Sequence, residues 1–313
     1  MASSTQQAMN RNGKEVGATR AGLLSRFGNL RIAETEITCE VEFTFATLVA
    51  DWDRYADCLN SFAERGFTAQ NTEFLAFDNS EGNRADGFSW LRATLAQARG
   101  RYIVFCHDDV EALDDFETLT GVLEHLETHD DRWMIAGNAG QRPALFDNGK
   151  RKHTRVRYLS HKPGKLDFKG SLPERVESLD ENFFVLRRDR APVGSIDLDG
   201  FHFYGPDLCL NAEIMGGHAY VVPFAVWHKS KGSYAEAFLD ARDRFRAKFA
   251  RFFPGRVYRS TTTTIHFGLL DWIAALVRPA AQMRRAPVMP VTKPNPRGMR
   301  PWHVLAEVEN QEG

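Results

Sequence analysis

The chain has 313 residues, enough to bury a full α/β core as one large domain or two small ones. Its 40 Lys and Arg residues balance 41 Asp and Glu, and a net charge of -1 argues against nucleic acid as a partner. Hydrophobic residues at 43% and charged residues at 26% describe an ordinary water-soluble composition, with no stretch apolar enough to span a bilayer. The four cysteines are scattered without a CxxC pair, and three lie in apolar patterns, which predicts reduced, buried thiols and a cytoplasmic location.

In chain order, residues 1–36 are expected to form a flexible N-terminal tail, with a short apolar pattern at 21–32 as a candidate docking helix. Regular organisation begins near residue 42. Residues 43–49 predict a strand ending at Ala50-Asp51. A helix over 53–65 follows, with Tyr55, Cys58, Leu59 and Phe62 at helical spacing and Gly66 as its stop. Residues 73–77 predict a second strand ending at Asp78, and 88–99 a helix with Leu91 and Leu95 on one face. The β-branched and aromatic run 102–106 is a third strand, halted by His107-Asp108-Asp109. Asp114 or Asp115 caps a helix bearing Leu119, Val122, Leu123 and Leu126, and 133–136 is a further strand. Strands alternating with helices imply an α/β fold: a mostly parallel, Rossmann-like sheet with helices on both faces.

In such a sheet Asp51, Asp78 and Asp109 each lie just past the end of a different parallel strand, so they converge on the edge where ligands bind. Taken alone, Asp108 and Asp109 read equally well as loop residues capping the next helix. The absence of GxGxxG and P-loop motifs excludes dehydrogenase- or kinase-style nucleotide binding.

Two segments, Phe74-Leu75-Ala76-Phe77-Asp78-Asn79-Ser80 and Ala98-Arg99-Gly100-Arg101-Tyr102-Ile103-Val104-Phe105-Cys106-His107-Asp108-Asp109, resemble the nucleotide-binding half of family-two glycosyltransferases with the GT-A fold. The resemblance extends through the segments 178–188 and 201–210 to 219–228, most of the chain. It places a GT-A domain at 37–255, with the nucleotide-binding half up to about residue 137 and the acceptor half after it, and a helical, Pro/Arg-rich extension at 256–313. It implies an enzyme, a hexosyltransferase-like glycosyltransferase. The enzyme would move a sugar from a nucleotide-diphosphate donor to a glycan, lipid-linked or protein acceptor, with inversion, in glycan or polysaccharide assembly.

The same resemblance assigns residues. Asp78 contacts the nucleotide base, and Thr47, Ala50, Asp108, Lys229 and Lys231 complete the nucleotide-sugar site. His107, Asp109 and His228 hold a divalent cation, Mn2+ or Mg2+; His107 stands where the family most often has Asp. Asp207 is the expected catalytic base, because a neutral hydroxyl is a poor nucleophile. Asp207 also reads as a cap for the helix after it, Asp197 and Asp199 are alternates, and the acid pair common in the family is missing at Tyr204-Gly205-Pro206. Lys229 and Lys231 read either as charges on the diphosphate or as solvated lysines.

Residues 219–228 predict a strand delivering His228. Residues 234–253 predict an amphipathic helix with Phe238, Phe245, Phe249 and Phe252 on one stripe. Residues 265–285 suggest self-association or peripheral membrane contact, and 287–300 an extended Pro-rich segment. Two rivals stand beside the transferase: a catalytically impaired nucleotide-sugar-binding or scaffold protein, and a nucleotidyltransferase, which lacks its usual Gly-rich basic loop here.

Overall fold

The computed structural model describes residue 25 and residues 37–143, 146–147, 150–151, 155–162, 164–230 and 236–268. The expected tail and docking helix therefore lie outside the described residues, apart from residue 25, as do Lys231 and everything after residue 268. Two compact units separate between Thr38 and Cys39, and the sheets and the helices that cover them belong to the second.

The elements are β1 (Val41–Val49), α1 (Trp52–Glu64), β2 (Thr72–Asp78), α2 (Gly87–Gln97), β3 (Gly100–Cys106), β4 (Val110–Ala112), α3 (Phe116–His129), β5 (Trp133–Gly137) and β6 (Ala139–Gln141). Next come the short pair β7 (Phe146–Asp147) and β8 (Lys150–Arg151), then β9 (Arg155–Lys162), β10 (Lys165–Lys169), β11 (Glu174–Val176), β12 (Ser178–Leu179) and β13 (Phe183–Arg187). The last are α4 (Tyr204–Ile214), β14 (His218–Val221), β15 (Val226–His228), α5 (Glu236–Phe249), β16 (Val257–Arg259) and β17 (Thr264–His266). Every strand and helix expected between residues 43 and 137 is present within a few residues of its expected bounds.

The helix starts are set by caps. Asp51 accepts from the Arg54 N–H, Asp86 forms a reciprocal capping box with Ser89, and Asp115 accepts from the Thr118 N–H. Each such cap contributes about 1 kcal/mol. Gly66 ends α1 at φ +88, a left-handed conformation that costs glycine least.

The main sheet has seven strands in the order β11-β14-β5-β13-β3-β1-β2. Five of them (β2, β1, β3, β5 and β14) run one way, while β13 and β11 run against them. Strand alternation then sorts the side chains. On β3, Ile103 and Phe105 enter one core with Phe88 and Trp90 of α2, Leu208 of α4 and Phe245 of α5. Tyr102, Val104 and Cys106 enter the other, with Tyr55, Cys58 and Phe62 of α1 and Leu119, Leu123 and Leu126 of α3. Both faces are thus covered by helices, as the continuous apolar run of β3 requires. Cys58, Cys106 and Cys209 are buried free thiols, as expected, and Cys39 is exposed.

Three expectations are corrected downstream. The segment 219–228 is two strands in two sheets: β14 lies in the main sheet and β15 in a second, ordered β12-β6-β9-β15-β4, with β10 paired to β9. Pro223 lies between them, and a residue without an N–H cannot continue a ladder. The Ala225 N–H turns to the Asp114 carboxylate at 2.7 Å, carrying the chain across to β4. In α5, Phe238, Phe245 and Phe249 are buried, but Phe252 lies beyond the helix end and is 56% exposed. The start of the expected helical extension is instead the hairpin β16–β17, whose Tyr258 and Ile265 pack into the core. Among the described residues, no helix is long and apolar enough to cross a membrane.

Candidate functional site

The parallel strands β1, β2 and β3 end side by side, with Val49 opposite Asp78 in register. At this edge the alternation of β3 continues into the next residues. His107 turns toward α4, where its Nε2 lies 3.0 Å from the Tyr204 hydroxyl. Asp108 points the other way, toward α1: its Oδ2 accepts from the Ala50 N–H (2.9 Å), the Asp51 N–H (3.1 Å) and Arg54 (2.8 Å). Asp108 therefore holds the β1–α1 turn through one carboxylate oxygen, Oδ2. Ala50 sits at the edge, but its N–H is the one Asp108 takes.

Asp109 follows, and β15 brings the third member. The antiparallel pairing of β15 with β4 sets His228 opposite Val110, so the imidazole arrives beside Asp109. His228 Nε2 lies 3.5 Å and His107 Nδ1 3.9 Å from Asp109 Oδ1. One donor atom from each of the three residues falls within 4.8 Å of the others. The two measured separations fit donors about 2.1 Å from a shared ion.

The surroundings prepare the three as ligands. The Tyr204 hydroxyl donates to the Glu181 carbonyl at 3.4 Å, leaving its oxygen to accept from His107 Nε2–H. That tautomer puts the lone pair on Nδ1, the nitrogen facing Asp109. Burial and the nearby His228 lower the His107 pKa, favouring the neutral imidazole a metal needs. Burial opposes charge on Asp109, but His228, the Ser230 side chain and His107 together hold its carboxyl well below the usual range, and the Ser230 N–H donates to its Oδ2 at 3.1 Å. The Tyr204 ring is in turn packed against Phe88, Trp90 and Phe184, and a Cβ on Gly87 would come 2.4 Å from it, so only glycine fits there.

The other expected residues are placed differently. Asp78 is half-buried at the end of β2. The Ser80 hydroxyl and N–H, on its Oδ1 at 2.7 and 3.0 Å, lower its pKa. Thr47 is 1% exposed with its hydroxyl 3.3 Å from Cys106 Sγ, inside the sheet–α1 core and not in the crevice. Lys229 is paired with Asp57 at 3.1 Å and with Glu111, so its charge is already matched. Asp197 is held by Lys248 and Asp199 by Arg244, both on α5.

Asp207 is not the helix cap. It lies in the first turn of α4, behind Phe203, which caps the helix in a left-handed conformation at φ 68. It is 0% exposed. Its Oδ2 accepts from the Ser195 N–H (2.9 Å) and Asn211 (3.1 Å), and its Oδ1 from the Ser195 hydroxyl (2.5 Å). A carboxylate so enclosed ties the 195 loop to α4 and, in this arrangement, has no path to an acceptor.

Two neighbours escaped sequence reasoning, Tyr204 and Glu181. Tyr204 lies in the aromatic segment 201–210, where sequence reasoning gave it no role of its own. Glu181 lies in an unremarkable Asp180-Glu181-Asn182 turn that reaches the site only because β13 returns antiparallel to β3, with the Asn182 carbonyl accepting from the His107 N–H at 3.0 Å.

No protein-family model matches the chain. Among solved structures it is similar to GalNAc-T7 with UDP, GalNAc and Mn2+ (11% identity, TM-score 0.48, 66% of this chain and 47% of that one). It is also similar to S. aureus TarS 1-349 in complex with UDP-GlcNAc (11%, TM-score 0.44, 70% and 68%). A third is the mannosyltransferase PcManGT from Pyrobaculum calidifontis in complex with GDP-Man and Mn2+ (10%, TM-score 0.40, 73% and 68%). The chain spans about half the length of the GalNAc-T7 structure. In sequence it is 40% identical over 227 residues to the ATP synthase subunits region ORF 6 protein of Fuscovulum blasticum, covering 72% of this chain and 90% of that one. The chain therefore belongs to the same family as that ORF 6 protein.

Proposed function

We propose that this protein is a metal-dependent glycosyltransferase of the GT-A type that takes its sugar from a nucleoside diphosphate donor. The observation that carries the reading is the convergence of His107, Asp109 and His228, from two different sheets, at the edge where β1, β2 and β3 end. Two imidazoles and one carboxylate suit Mn2+ better than Mg2+, which prefers oxygen donors in near-ideal octahedral geometry. His107, Asp109 and His228 would hold the cation, which would supply positive charge to neutralise a departing diphosphate. Asp78 is the group for the nucleotide base, the edge around Ala50 and Asp108 is the remaining donor surface, and Lys231, which lies outside the described residues, is proposed from the sequence alone. Inversion at the sugar, transfer of a hexose, polysaccharide assembly and action in the cytoplasm belong to the same proposal.

Calorimetric titration of UDP and of GDP, with Mn2+ and with EDTA, tests the reading. The expected result is Mn2+-dependent nucleotide binding whose metal increment falls at least about tenfold in Asp109→Asn. Nucleotide affinity indifferent to both Mn2+ and Asp109 refutes it. A second reading, a nucleotide-sugar-binding protein without turnover, is favoured by the enclosure of Asp207 and the pairing of Lys229. It predicts the same binding without metal-dependent release of nucleotide from UDP- or GDP-sugars.

A further inference from the structure

We infer that Glu181, not Asp207, is the group that takes the proton from the attacking hydroxyl. This rests on the transferase reading and names its missing base. Three observations converge on it. The chain has no acid at Tyr204-Gly205-Pro206, yet the Glu181 side chain reaches that point from the turn before β13: its Oε1 accepts from the Gly205 N–H at 3.2 Å. A Cβ on Gly205 would sit 3.0 Å from Glu181 Cγ, so the space a side chain at 205 would enter is bounded by the Glu181 side chain. The backbone around Glu181 is also part of the ligand cluster's frame. Its carbonyl takes the Tyr204 hydroxyl that orients His107, and the next carbonyl takes the His107 N–H.

Glu181 is half-buried, where Asp207 is fully enclosed. Burial, with the neighbouring Asp180 adding to it, raises its pKa to about 8 against the opposing N–H groups of Gly205, Tyr204 and Phe203. A carboxyl in that range accepts a proton far more readily than an ordinary glutamate. In the step, the acceptor O–H bond breaks and its proton goes to the Glu181 carboxylate. The freed oxygen pair forms the bond to the anomeric carbon. The bond from that carbon to the diphosphate oxygen breaks, and its electron pair leaves with the nucleoside diphosphate.

Water serves as the acceptor in the test, so the natural acceptor need not be known. Release of UDP or GDP from UDP-N-acetylglucosamine, UDP-galactose, UDP-glucose and GDP-mannose is measured with Mn2+, alongside Mn2+–UDP and Mn2+–GDP affinity and the circular dichroism melting curve. Glu181→Gln is expected to lower kcat by about 10²–10⁴-fold while leaving nucleotide affinity within about twofold and the melting curve cooperative. Glu181→Asp is expected to recover part of the loss, which a packing role would not predict. Three results overturn the assignment. Near-wild-type turnover in Glu181→Gln removes Glu181 alone. Loss of turnover with unchanged nucleotide affinity in folded Asp207→Asn, with Glu181→Gln active, returns the role to Asp207. Mn2+-dependent binding without turnover of any donor removes the base together with the transferase reading.

Discussion

Asp207 offers the sharpest test of how burial and hydrogen bonding share out its role. Its carboxyl is 0% exposed, and burial pushes it up to about 6 against the Ser195 donors that favour its charged form. An aspartate in the unfolded chain titrates near ~3.9. The folded state therefore holds this proton longer than the unfolded state does. The associated stability is fully present below about pH 4 and is lost as the pH rises through about 6. Two pH units at about 1.4 kcal/mol each make the loss about 3 kcal/mol, which for a domain of this size is on the order of 6–12 °C in Tm. Asp207→Asn has no such proton to lose. Urea unfolding of both proteins, followed by tryptophan fluorescence at pH 4, 5, 6 and 7, isolates the effect, because every other titrating group cancels in the difference. The wild-type stability should fall relative to the variant by about 3 kcal/mol between pH 4 and pH 7. Curves that stay parallel over that range would refute the reasoning, since they would mean that Asp207 titrates alike in both states.

Two further outcomes follow from the site. Tyr204→Phe keeps the ring between Gly87, Trp90 and Phe184 but removes the hydroxyl that fixes the His107 tautomer. Mn2+ affinity, read by calorimetry, should fall about 10–100-fold with little change in Tm, and an unchanged affinity would show that His107 orients itself without Tyr204. Lys229→Met should leave Mn2+–UDP affinity within about twofold, because the ammonium is already matched by Asp57 and Glu111. A tenfold loss would mean that Lys229 leaves those partners for the diphosphate.

Much of this protein is written locally. The apolar run of β3 between Gly100 and the polar His107, the helical spacing on α1 and α3, and caps such as Asp51 and Asp115 each depend on residues a few positions apart. Hence the order of elements to residue 137, the mostly parallel sheet covered on both faces and the alignment of Asp51, Asp78 and Asp109 at one edge were legible in the sequence. His107, Asp109 and His228 were also nameable there, but only through resemblance. Their meeting depends on β15 leaving the main sheet after Pro223 and pairing with β4, a contact between residues more than a hundred positions apart. The partners of each acid were decided at the same level. Whether a carboxylate is enclosed, like Asp207 by Ser195 and Asn211, or half-open, like Glu181 against Gly205, depends on which distant backbone packs beside it. A sequence lists its acids, but burial and donors at long range set their proton affinity and their access to a ligand, and those exist only once the chain has folded.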